Sequence, residues 1–269
     1  MPLAVCATPI GNLEDVTLRV LRELAEADVV LCENTRHTRG LLELHGIRAR
    51  LLSYHQHNEA TRVGELIPRL EAGERIALVS DAGLPGINDP GARLVEAALE
   101  AGLPVTVLPG PSAVETALVA SGLAGDRFLF MGYLPRGEKA LAALWAELVA
   151  SADPVVAFES PQRLPATLRS LAAALPERRA AVCRELTKRF EEVVRGTAAE
   201  LAERFAEAPK GEVTLVLDGG VEEADEGAAV GAVRELVGAG VPRRQAADVV
   251  ARLLSLSRNT LYRESLQSD

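Results

Sequence analysis

Aromatic residues are scarce in this chain: one tryptophan, three tyrosines and five phenylalanines in 269 positions. A core must then be filled by aliphatic side chains and alanine, which 48% apolar content supplies. Cysteine is scarce as well. Its three copies lie apart, in "LAVCA", "VVLCE" and "AAVCRE". That pattern lacks both zinc-site spacing and the even count of a disulfide framework, so they read as buried thiols in a reducing compartment. No apolar run reaches the roughly 20 residues of a membrane span, and no charged start leads into an apolar signal region. The expectation is a soluble cytoplasmic protein that engages no membrane. Bases are fewer than acids, 29 against 38, and the net charge of -9 argues against bulk coating of nucleic acid.

Familiar catalytic signatures are also missing. There is no G-x-x-x-x-G-K-[ST] phosphate loop and no G-x-G-x-x-G after the first strand-like run. Ser112 lacks the G-x-S-x-G elbow of a hydrolase nucleophile. The four histidines, all between His37 and His57, follow no zinc spacing, although a strand through "HQH" would point His55 and His57 to one face. No metal is expected.

What is present is alternation. Short β-like runs at 3–7, 28–32, 50–54, 75–80 and 104–108 are separated by amphipathic segments near 15–26, 35–45, 59–72, 89–101 and 111–121. In the fourth of these, Asp89 is placed to N-cap, Pro90 to open the helix and Gly102 to follow its end. Such β-α alternation predicts a largely parallel sheet covered by helices. After "SGLAGDR" a second series begins: "RFLFMGYL", "PVVAFES", "AAVCRE", "EEVVRG" and "EVTLVLD", with helices near 138–150, 161–174 and 197–207. Helices do not separate every pair here, which predicts a mixed sheet. The acidic "DGGVEEADEG" reads as a linker, followed by helices at 228–238, 242–254 and 257–266. The turn "LSLS" gives the last two either a helix-turn-helix outline or a plain hairpin. The expected fold class is α/β, with domains at 1–122 and 123–220 and a linker and helical tail at 221–269.

Ligands of open α/β sheets bind beyond the carboxyl ends of the strands. Three loops fall there: "TPIGNL" after the first strand, "SDAGLPGINDPG" after the fourth and "PGPSAVE" after the fifth. Their glycines and alanines permit close backbone approach, Asp81 offers a carboxylate, and Ser112 can cap a helix or bond a ligand. Basic residues cluster at 178–189 and 241–263, two candidate contacts for RNA phosphates on an otherwise acidic body.

The motifs "TPIGNL", "ENTRHT", "HQHNE", "ALVSDAGLPGINDPG", "LPGPSA", "FESPQR", "CRELTK" and "GEVTLVL" occur in an order that resembles the bacterial 16S ribosomal RNA cytidine 2′-O-methyltransferases of the tetrapyrrole-methylase superfamily. "SRNTLY" extends the likeness into the tail. The resemblance implies two α/β domains with S-adenosylmethionine in the cleft between them, a small C-terminal helical domain and a homodimer. It also implies a substrate, a decoding-centre cytidine of 16S ribosomal RNA or of the small ribosomal subunit, methylated on its ribose. The superfamily's porphyrin-precursor enzymes carry G-x-G-x-G where this chain has "TPIGN", which favours RNA over a tetrapyrrole. The implied cofactor contacts are Pro9, Ile10, Gly11, Asp81, Ala82, Gly83, Leu84, Pro109, Ser112 and Ala113. Candidates for the proton acceptor are His57, first because its ordinary pKa lies near working pH, then Glu33, Glu159 and Glu185. Asn34, Leu84, Gly86 and Gln162 depart from the family's usual residues, so neither Asn34 nor Gln162 is offered as the base. Two other readings stay open: a superfamily methyltransferase acting on a tetrapyrrole or protein side chain, and a non-catalytic RNA-binding ribosome-assembly factor.

Overall fold

The computed structural model describes residues 3–149, 151–220, 226–254 and 256–266. Its first sheet uses β1 (Leu3–Cys6), β2 (Val29–Cys32), β3 (Leu51–Ser53), β4 (Ile76–Leu78) and β5 (Val105–Leu108), all parallel, in the order β3-β2-β4-β1-β5. A parallel sheet buried on both faces needs strands apolar on both sides, and β1, "LAVC", is buried at every position. Side chains alternate between two cores. Leu3, Val5, Leu31, Ile76 and Leu78 meet α3 (Glu59–Glu71) and α4 (Ala92–Glu100). Ala4, Cys6, Val30, Cys32 and Ala77 meet α1 (Leu18–Glu26) and α2 (Thr35–Leu44). Asn34 N-caps α2, its side-chain oxygen accepting from the N–H groups of Arg36 at 3.1 Å and His37 at 3.3 Å.

α5 (Ala113–Ser121) follows β5 and turns to a second core. Its Val114, Ala117 and Leu118 pack on Val156, Ala181, Cys183 and Val216 of the second sheet. That sheet comprises β6 (Leu129–Tyr133), β7 (Val155–Glu159), β8 (Arg179–Arg184), β9 (Glu192–Thr197) and β10 (Val213–Leu217), ordered β6-β7-β10-β8-β9. Only β6 and β7 pair in parallel, so the sheet is mixed, as expected. Between its strands run α6 (Glu138–Leu148), α7 (Leu164–Ala174) and α8 (Ala198–Arg204), the last opened by a capping box of Thr197 and Glu200.

By contacts the chain divides into two compact units, one of residues 1–147 with 153–218 and one of 148–152 with 219–269. The second holds α9 (Glu226–Gly238), α10 (Arg243–Leu254) and α11 (Arg258–Leu266) around Ala229, Val233, Ala246, Ala247, Val250 and Leu261. Each helix packs on both others, so this is a three-helix unit and not a plain hairpin. Half of the expected acidic linker (221–225) and Ser255 of the expected turn lie outside the described residues. No described helix is long and apolar enough to cross a membrane.

One sequence expectation needs correction. Helix α4 starts at Ala92 with Gly91 as its N-cap, so Asp89 does not cap it and Pro90 is not in its first turn. Asn88, at φ +60°, and Gly91, at φ +141°, reverse the chain just before the helix. A Cβ on Gly91 would stand 2.9 Å from Leu78 Cδ2, so this turn needs glycine. The segment "HQHN" is a turn, not a strand continuing β3. Asn58 folds it, accepting from the His55 N–H at 2.9 Å and donating to the Ser53 carbonyl at 3.1 Å.

Candidate functional site

β4, β1 and β5 are neighbours in the first sheet, so the three loops singled out in the sequence leave adjacent strand ends. The first two are stitched together, and Gly110 of the third packs closely on Ala7. Thr8 and Gly83 exchange backbone hydrogen bonds at 2.8 and 3.0 Å, and the Thr8 hydroxyl donates to the Ser80 carbonyl at 3.0 Å. Gly83 can make this bridge at φ +76° because it has no side chain. At the far end of the 80–91 loop, Glu59 Oε1 accepts from the Gly91 N–H at 3.1 Å and from the Tyr54 hydroxyl at 2.9 Å. The "HQHNE" motif thus braces this loop through Glu59.

Facing these loops is one edge of the second sheet, where β6, β7 and β8 end and β10 begins. A cavity of about 580 Å³ lies between them. Its walls include Ile10, Asp81, Ala82, Gly83, Leu84, Ser112 and Ala113, all named from sequence. Pro9, Gly11 and Pro109 do not line it; Gly11 instead lies against Leu186, Thr187 and Lys188. The Asn12 N–H donates to Thr187 Oγ1 at 2.9 Å, tying the first loop to the end of β8.

Of the four candidate bases, only Glu159 lines the cavity. Its carboxylate is fully buried and heavily engaged: Oε2 accepts from the Thr167 hydroxyl at 2.5 Å and lies 3.3 Å from Arg163, while Oε1 accepts from the Ser160 N–H at 2.7 Å. Glu185, at φ +52°, pairs with Lys188 at 2.9 Å and accepts from the Glu212 N–H at 3.0 Å. The Lys188 ammonium and that N–H hold its carboxyl below the usual range. Glu33 stands just beyond the lining, its carboxyl raised by burial and then by the charges of Asp89 and Asp81. His57 is exposed in the turn after β3 and does not line the cavity.

Several lining residues were not anticipated. Phe128, Phe130, Tyr133 and Phe158 wall the side opposite the loops. Phe158 meets Phe130 and Tyr133 edge-on, with ring centroids 5.2 and 5.6 Å apart. In a chain with 3% aromatics, the bunching of Phe128, Phe130 and Tyr133 within a few residues is a readable signal. Gly132 lets β6 approach Asn88; a Cβ there, at φ +63°, would stand 2.7 Å from the Asn88 side-chain oxygen. Asp89 also lines the cavity, beside the Ser80 hydroxyl, with its carboxyl pushed up from 3.8 to about 6 by burial and the nearby Asp81 charge. Asp81 itself accepts the Asn34 N–H at 3.2 Å. Cys183, also in the lining, is no nucleophile, since burial pushes its thiol up to about 11. The chamber therefore offers flat apolar walls for a heterocycle and, on the loop side, carboxylates for cationic or hydroxylated groups.

Known proteins align with this arrangement. A 45% identical relative, "Ribosomal RNA small subunit methyltransferase I" of Mesorhizobium japonicum, matches over 174 residues, 64% of this chain and 59% of that protein. In that alignment the chain spans under two thirds of the relative's length. The same-named protein of Pasteurella multocida is 37% identical over 98% of this chain and 96% of its own. Among solved structures, uroporphyrin-III C-methyltransferase of Thermus thermophilus, complexed with S-adenosylhomocysteine, superposes with a TM-score of 0.55 at 20% identity, over 81% of this chain and 98% of that one. The family model of the tetrapyrrole (corrin/porphyrin) methylases matches residues 2–202, and the chain belongs to that family.

Proposed function

We propose that the protein is an S-adenosylmethionine-dependent methyltransferase that modifies the ribose 2′-hydroxyl of the decoding-centre cytidine, position 1402, of 16S ribosomal RNA. One observation carries the reading: three loops from adjacent strand ends, two of them joined by hydrogen bonds, form one wall of a cavity opposite an aromatic wall. Small-subunit ribosomal RNA as substrate is supported by the relatives, one of them matched nearly end to end, and the cytidine ribose by the family resemblance of the sequence motifs.

The chamber fits the cofactor. Its volume lies within the range of cofactor sites. The aromatic and aliphatic lining suits an adenine, and the Asp81 carboxylate suits an ammonium group beside the small residues Ala82 and Gly83. Ile10, Leu84, Ser112 and Ala113 complete the residues that would hold it. When bound, S-adenosylmethionine supplies an electrophilic methyl group. The chain's tasks are then to exclude water, to align the ribose oxygen for in-line displacement, and to accept its proton. The family resemblance further supports a cytoplasmic homodimer acting on the small subunit.

The test is methyl transfer from labelled cofactor to small ribosomal subunits, naked 16S RNA and a tetrapyrrole precursor in parallel, with the modified ribose mapped. Label on a single ribose of the RNA is the expected result. Label on the tetrapyrrole, or cofactor binding without transfer to RNA, sinks the assignment.

A further inference from the structure

We propose that Asp89 is the catalytic base, the group that takes the proton from the substrate hydroxyl. This rests on the methyltransferase reading above. The carboxylates lining the chamber are Asp81, Asp89, Glu115, Glu159 and Glu212. Glu159 is locked by Thr167, Ser160 and Arg163. Glu212 pairs with Lys188 at 2.8 Å, and Glu115 accepts the Ser112 hydroxyl. Asp81 accepts the Asn34 N–H and sits among the small residues suited to the cofactor. Asp89 remains: it is bonded by the Ser80 hydroxyl and by no charged partner among the described residues, and the fold presents it to the chamber. Asn88 in the left-handed region, Gly91 at φ +141° and the Glu59 tether on Gly91 together lift Asp89 out of helix α4 and into the lining. A helix beginning at Asp89 would have used that carboxylate as a cap.

The surroundings match the task. A base should be ionised at working pH yet hold a proton readily. Burial, reinforced by Asp81, places the Asp89 carboxyl at about 6. Glu33 adds a third acidic group on the loop side, since its carboxyl feels both aspartates. From β6, Tyr133 faces the same group, its phenol raised by burial and then by Glu212, Asp89 and Glu159. In the step, the hydroxyl O–H bond breaks toward an Asp89 oxygen while the O–CH3 bond forms and the S–CH3 bond breaks. The leaving group departs as a neutral thioether, and the proton rests on the carboxyl until solvent removes it.

Single-turnover methylation of small ribosomal subunits across pH tests this in the full-length protein. The wild-type rate should fall on the acid side with a limb near pH 6. Asp89→Asn should lose about a hundredfold or more in rate, lose that limb, and keep its calorimetric affinity for S-adenosylmethionine. Asp89→Glu, which restores a carboxylate, should recover part of the rate together with an acidic limb. An Asp89→Asn enzyme that keeps the wild-type rate and limb overturns the role. So does one that no longer binds the cofactor while it still melts cooperatively at or above the wild-type temperature, since Asp89 would then be a cofactor ligand. Wild-type protein that transfers no methyl group to RNA overturns the functional reading and this role with it, whereas the first two outcomes leave the reading standing.

Discussion

Asp81 and Asp89 share one loop but are held differently. Asp81 is fixed by the Asn34 N–H, the residue that also caps α2, so its orientation is coupled to the end of β2. Removing it should cost the charge-assisted hydrogen bond to the cofactor's ammonium. Asp81→Ala is expected to weaken S-adenosylmethionine binding by about 1.5–3 kcal/mol, and an unchanged calorimetric affinity in a folded variant would remove Asp81 from the cofactor site. Asp89 makes a prediction about stability. Its carboxyl titrates at about 6 in the folded protein against an ordinary 3.8. The folded state therefore binds this proton more tightly than the unfolded chain, so the contribution is fully present below pH 3.8 and is lost as pH rises through 6. Above that, the native state carries a half-buried charge that water would hold better. Asp89→Asn should stabilise the protein by about 1–2 kcal/mol at roughly pH 8, below the ceiling of about 3 kcal/mol that the displacement sets, and by much less at roughly pH 4. Urea melts at the two pH values measure it; equal gains at both would show that the charge is not the cause. A variant more stable and less active is the pattern expected of a residue kept for function.

At the scale of elements, the end of β7 and the start of α7 form a buried clasp. The Arg163 guanidinium donates to the carbonyls of Leu134 at 2.8 Å and Pro135 at 2.6 Å, and faces the buried Glu159 carboxylate. Removing it strands a charge with no exposure. Arg163→Ala should destabilise by about 3 kcal/mol, and adding Glu159→Gln should restore part of that loss. If the double variant is no better than the single one, the carbonyl bonds and not the ion pair hold the clasp. This clasp illustrates what the sequence made legible. The strands β1, β2 and β4 were readable because burial on both faces requires short all-apolar runs. The three loops were readable because glycine, proline and aspartate have few reasons to cluster between a strand and a helix. The engagement of Glu159 was not, because Thr167 and Arg163 become its partners only once α7 folds back on β7. The start of α4 was misjudged for a related reason: Asp-Pro is a fair helix opening in isolation, but Asn88 at positive φ and the close approach of Gly91 to Leu78 override it. The aromatic wall lies on a different sheet from the loops it faces, and only packing brings them together.

For the whole molecule, the question is how a chain of net charge -9 would meet the polyanionic substrate proposed for it. The basic segment 178–189 looked like one answer in the sequence, but the fold occupies much of its charge. Arg184 pairs with Glu192 at 2.9 Å, Lys188 with Glu185 and Glu212, and Arg178 donates to the Asp218 carbonyl at 2.9 Å. Cross-strand partners of this kind are invisible to a count of bases along the chain. The three-helix unit differs. Arg243 is committed to the Ser265 carbonyl at the end of α11, but Arg244, Arg252, Arg258 and Arg263 are exposed. The acidic neighbours of two of them are loose, with Arg258 3.9 Å from Asp248 and Arg263 3.9 Å from Glu264. Exposed pairs at that distance contribute little and yield readily to a phosphate. Arg258 and Arg263 lie on the outer face of α11 with Asn259 and Tyr262, while Leu261 anchors the helix in the unit's core. Replacing both arginines by alanine should leave this core intact, weaken binding to small ribosomal subunits, and lower the slope of log affinity against log salt by roughly 1.5, the release expected from two phosphate contacts. Affinity for S-adenosylmethionine should not change, because neither arginine lines the chamber. Weaker RNA binding with an unaltered slope would point to a loss of shape and not of charge. An unaltered affinity would leave the tail's arginines as solvation, and the RNA contacts would then have to be sought among the unpaired bases of the α/β unit.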